Sequence, residues 1–121
     1  MSADRLERLR FLSKKVSRKN YGHDPQLERD ICYAIYGENR YNPRYTFDYK
    51  EAIKCLPLGA WVSQLTQVHR QSWVDGKGEW WKCVVAYNDA MSTVIGHGTD
   101  IPRAVVSAGL LARVELNALD Y

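Results

Sequence analysis

The sequence predicts an α+β fold: a three-stranded antiparallel meander packed with helices, an α/β sandwich, preceded by an amphipathic basic N-terminal helix. Three observations predict it. Apolar residues at helical spacing fill the chain up to Ile53, and β-rich segments broken by turn signals occupy 60–97. Then Gly96-His97-Gly98 feeds directly into the most apolar helix of the chain. Strands and helices segregated in this way favour an antiparallel sheet over a parallel one. A length of 121 residues fits one core. The expected division is a basic arm at 1–20 and a sandwich domain at 24–121.

Leu6, Leu9, Leu12 and Val16 recur at helical spacing, so 3–17 reads as an amphipathic helix, and 17–23 as a polar linker. Asp24-Pro25 starts a second helix with Leu27, Ile31, Ala34 and Ile35 on one face, ended by Gly37. Residues 38–45 form a loop. Asp48 with Glu51 makes a capping-box pattern for a short third helix, which Pro57 and Gly59 end. Residues 60–73 read as a strand, unusually polar at Ser63, Gln64, Thr66, Gln67, His69, Arg70 and Gln71, so one sheet face is wet or lines a site. Asp75-Gly76-Lys77-Gly78 is a hairpin signal. Residues 79–87 return as a second strand with Trp81, Cys83, Val85 and Tyr87 on one face, and 91–97 give a third. Asp100 or Thr99 caps the last helix, with Pro102 in its first turn. In that helix Ala104, Ala108 and Ala112 stack in one row beside Val105 and Gly109, a surface that admits a sheet or the same helix of another subunit.

Composition narrows the function. Hydrophobic residues make up 45%, an ordinary globular share, and no apolar run approaches a membrane span. The N-terminus has no secretory pattern. Cys32, Cys55 and Cys83, odd in number and far apart, fit free thiols in a reducing cytosol rather than disulfides or a zinc site. The net charge of +3 hides an asymmetry. Residues 1–20 carry Arg5, Arg8, Arg10, Lys14, Lys15, Arg18 and Lys19 against Asp4 and Glu7, leaving ten basic and twelve acidic residues beyond. This arm is either a solvated helix face or a contact for nucleic acid or another acidic partner.

No phosphate loop, nucleophile elbow or dinucleotide fingerprint is present, and His23, His69 and His97 do not cluster in sequence. Neither metal nor cofactor is expected, and catalysis is disfavoured. A binding site is easier to build. Trp73, Trp80, Trp81, Tyr87 and Tyr33 offer flat faces for a nucleobase, and Arg29, Arg44, Arg70, Arg103 and Arg113 offer forks for phosphate. Trp81 and Tyr87 alternate with Cys83 and Val85 and so read as core, whereas Trp80 shares the opposite face with Lys82. Arg103 is either a ligand group at a helix N-terminus or the partner of Asp30 or Glu51. The candidate ligand-binding set is Arg103, Trp80, Asn88, Arg29, Arg113, Tyr33, Arg44 and His97.

Three segments together, Leu27 to Ile35, Pro43 to Ala52 followed by Leu56 to Trp61, and Gly96 to Arg113, resemble the phage ABA sandwich family. The last is similar to the family's glycine–Thr–Pro entry into an Ala/Leu-rich final helix, although here Asp100-Ile101 separates Thr99 from Pro102, which shifts the cap. The resemblance implies a phage-encoded protein acting in the host cytoplasm. By size, element order and supply of arginines and aromatics, the chain is more loosely similar to Thoeris anti-defence sponges. That similarity implies a homo-oligomer that sequesters a cyclic nucleotide or ADP-ribose-type signal between subunits without cleaving it. The alternatives are a protein-binding, anti-CRISPR-like inhibitor of a defence effector working through residues 1–20 or the acidic body, and a hydrolase of the signal.

Overall fold

Among the described residues four helices and one sheet follow in the expected order: α1 (Ala3–Arg18), α2 (Pro25–Tyr36), α3 (Tyr49–Ile53), β1 (Trp61–His69), β2 (Glu79–Tyr87), β3 (Ser92–Gly98) and α4 (Ile101–Leu116). The computed structural model describes residues 3–18, 24–38, 43–69, 79–89 and 91–116. The 75–78 hairpin turn, Arg70, Trp73, His23, most of the expected 17–23 linker and the centre of the 38–45 loop lie outside the described residues.

Local chemistry sets the helix ends. The Asp24 carboxylate accepts the Leu27 N–H at 3.1 Å, and Gly37, in the left-handed region at φ 73°, closes α2 with its N–H on the Tyr33 carbonyl. The Asp100 carboxylate accepts the Arg103 N–H at 2.9 Å and so caps α4. At α3 the capping box forms only in half. Asp48 accepts from the Lys50 N–H at 3.0 Å, while Glu51 turns away to Lys54 at 2.6 Å and the Asp48 N–H goes to the Arg44 carbonyl at 3.2 Å.

The strands pair β1-β2-β3, both pairs antiparallel. The register between β1 and β2 shifts between Val62 and Gln64, so Ser63 is an extra residue whose hydroxyl donates to the Val84 carbonyl at 3.3 Å. This bulge reverses the alternation. Val62 and Leu65, three apart, thereby both face inward opposite Val85 and Cys83. On β2 the inward set is Trp81, Cys83, Val85 and Tyr87, as the alternation predicted.

α4 is the centre of the molecule. Its small row lies on the glycines of β3: a Cβ on Gly96 would collide with the Ala108 backbone N, and one on Gly98 would meet the Ala104 N at 2.6 Å. On another side Gly109 meets the end of α3 at Cys55 and Leu56. α1 covers a further flank, where the Ser13 hydroxyl donates to the Ser107 carbonyl at 2.9 Å and lies 3.0 Å from the Ser107 hydroxyl. Ala104 to Ala108 and Leu110 are buried by this one chain. Of the two uses the small row allowed, it serves the sheet within this one chain, so that row is not where another copy of the helix packs.

The N-terminal segment is corrected in the same sense. Leu9, Leu12 and Val16 are fully buried in the common core with Ile31, Val105 and Leu110. α1 is therefore a wall of the domain, not an arm set apart from it, and only its outer face is basic.

Candidate functional site

α4 occupies one face of the sheet, through Gly96 and Gly98. The register assigns the other face Trp61, Gln64, Thr66 and Val68 from β1, Trp80, Lys82, Val84 and Ala86 from β2, and Thr93, Ile95 and His97 from β3. This face is partly open to solvent. Trp61 is 43% and Ile95 47% exposed, Gln64 and Thr93 are exposed, and Trp80, Lys82 and His97 are half-buried.

At one end of this face the Trp80 and His97 rings stack, with centroids 5.6 Å apart and planes 15° from parallel. They are diagonal neighbours across β2 and β3, within reach for aromatic side chains. Lys82 is the direct cross-strand partner of His97 and stands one pleat from Trp80. Desolvation in the stack, and secondarily the Lys82 charge, lower the His97 pKa from its ordinary value. The imidazole is therefore held neutral and flat against the indole. The result is an aromatic ledge with an ammonium group beside it on a partly open surface.

Two of the expected phosphate arginines have structural work instead. Arg113, 9% exposed, donates from Nε to the Cys55 carbonyl at 2.6 Å and from an Nη to the Leu56 carbonyl at 3.1 Å. It thus satisfies carbonyls left over at the end of α3. Arg103, 4% exposed, pairs with Asp100. Both guanidinium groups are thus buried against oxygens of this chain and not presented on its surface. Asn88, at φ 52°, and Asp89, at φ 58°, form the tight turn after β2, closed by the Met91 N–H on the Asn88 carbonyl at 3.1 Å. Seven residues of strand lie between Trp80 and Asn88, a separation of roughly 25 Å, so the two share no pocket.

The remaining candidates are exposed but dispersed. Arg29 donates to Gln26 at 3.3 Å on the outside of α2, with Tyr33, 59% exposed, one turn on. Arg44 lies over the Phe47 ring at 5.0 Å. Of the expected set, Trp80 and His97 are brought together across two strands, and Arg29 and Tyr33 are neighbours one turn apart on α2.

No family model, curated protein or solved structure matches this chain.

A buried polar cluster escaped the sequence reading. Glu28, 1% exposed, accepts the backbone N–H groups of Tyr45 and Thr46, the latter at 2.9 Å, and also the Thr46 hydroxyl. Its signal was present, since Glu28 precedes Ile31 and Ile35 by three and seven residues and so shares their face. The neighbourhood is closed to solvent chemistry. Burial, and then a hydrogen bond with Cys32, raise the Tyr45 phenol. Burial likewise raises the Cys55 thiol and pushes Cys83 up to about 11. These thiols stay protonated and are poor nucleophiles. Among the described residues no group of three His, Cys, Asp or Glu side chains is placed to hold a metal ion, and no helix is long and apolar enough to cross a membrane.

Proposed function

We propose that this protein is a non-catalytic binding protein whose open sheet face holds a nucleotide-type ligand, a cyclic nucleotide or an ADP-ribose-type signal, and sequesters it intact. The observation that carries the reading is the Trp80–His97 ledge with Lys82 beside it on the partly open side of the sheet. A base stacks on a flat aromatic face with little regard to its identity, and a neighbouring cation neutralises the phosphate. Among the described residues the titratable groups on this face are His97, with its lowered pKa, and Lys82, a pair that suits capture without turnover. The family resemblance supports a phage counter-defence setting for such capture. Exposed Trp61 and Ile95 support the meeting of two copies across this face, which would enclose the ligand and lower its ordering cost.

The test is calorimetry with cyclic ADP-ribose and cyclic dinucleotides, followed by heat release and chromatography. Binding that W80A and K82A each weaken about tenfold, with intact ligand recovered, is the expected result. Cleaved product would make the protein a hydrolase. Absence of binding across the panel would remove the reading. The same exposed Trp61 and Ile95 favour a second reading, a protein-binding inhibitor of an effector, and in that case W61A and I95A abolish effector binding while no nucleotide binds.

A further inference from the structure

The sheet face leaves the basic charge of the N-terminal helix unexplained. Phe11, Lys14, Lys15 and Arg18 follow one another at three-, four- and seven-residue spacing, so they form one stripe on α1. They line an open groove of about 420 Å³. Phe11 is 58% exposed, and the three cations are exposed as well. Three other basic groups have acidic neighbours: Arg8 with Asp30 at 3.6 Å, Lys54 with Glu51, and Arg103 with Asp100. Among the described residues Lys14, Lys15 and Arg18 have no such ion pair. Phe11 stands at the N-terminal end of this cationic run and lines the same groove.

We propose that this stripe is a docking site for single-stranded nucleic acid, with the cations on successive phosphates and Phe11 under a base. The site is independent of the sheet face. Its chemistry is that of single-strand binding elsewhere, a cationic track with an aromatic platform. A lipid surface fits poorly. Insertion needs an apolar stripe, and the apolar side of α1, Leu9, Leu12 and Val16, is spent on the protein core. An acidic peptide satisfies the charges but gives the exposed ring no flat partner.

The test is fluorescence anisotropy of the full chain with a labelled oligothymidylate across a salt series. Three phosphate contacts give a log–log salt slope of about −2. The triple charge reversal K14E/K15E/R18E lowers affinity by more than tenfold, F11A lowers it about fivefold, and both keep the parent circular dichroism and melting temperature because the side chains are exposed. The inference is overturned if the oligonucleotide does not bind, if binding survives the triple reversal, or if F11A changes nothing. It is equally overturned if phosphatidylserine vesicles or polyglutamate bind the stripe and the oligonucleotide does not.

Discussion

Glu28 shows how much one side chain can organise here. Its carboxylate is the acceptor for two backbone N–H groups at the entry to α3, a stretch without regular structure of its own. Glu28→Ala leaves those donors buried and unpaired, and urea unfolding should show a loss of about 3 kcal/mol. His97 yields a second residue-scale expectation. Its folded pKa is lowered, by desolvation first and by Lys82 second. The native state therefore binds fewer protons than the unfolded chain, and stability falls as pH drops below about 6.5. An NMR titration should place the His97 midpoint below that value, and Lys82→Ala should move it back up. A midpoint above it would contradict the stacked, partly desolvated ring. At this scale the sequence was informative about Trp80 and Lys82, which alternation set apart from Trp81 and Cys83. It was uninformative about Arg103 and Arg113. An arginine in a sequence looks the same whether it waits for a phosphate or ties up carbonyls 58 residues away.

Among the elements, the meeting of β3 with α4 decides the fold. Gly96 and Gly98 let the helix backbone descend onto the strand, and Ala104 and Ala108 let it stay there. Gly96→Ala puts a methyl group where the Ala108 backbone already is, a clash that no rotamer relieves. A loss of about 3 kcal/mol, the upper part of the usual overpacking range, should appear as a lower denaturation midpoint. Much of this was readable beforehand, because a glycine-flanked strand end and an alanine row are complementary in shape. The course of β1 was not. Its polar residues hid the inward positions, since the extra residue Ser63 breaks the period on which such a reading depends. The bulge is also what sends Trp61 to the side of the sheet shared with Trp80 and Ile95.

For the whole molecule the main consequence is that α1 belongs to the core. Removing residues 1–20 exposes the α4 flank at Ser107 and deletes Leu9, Leu12 and Val16 from the interior. Such a truncation should fail to give a cooperative unfolding transition, and so it cannot separate ligand capture from contacts made by the basic face. Surface substitutions on α1 can. The proposed ligand face and the exposed Trp61 and Ile95 lie on the strands, whereas most of α4 is buried. The most direct check is amide NMR mapping of the full chain against a titration of cyclic ADP-ribose and cyclic di-AMP. Shifts gathered at Trp61, Trp80, Lys82, Ile95 and His97 are the predicted result. Shifts gathered instead at Arg29, Arg44 or the outer side of α1, or no shifts at saturating ligand, would contradict the account.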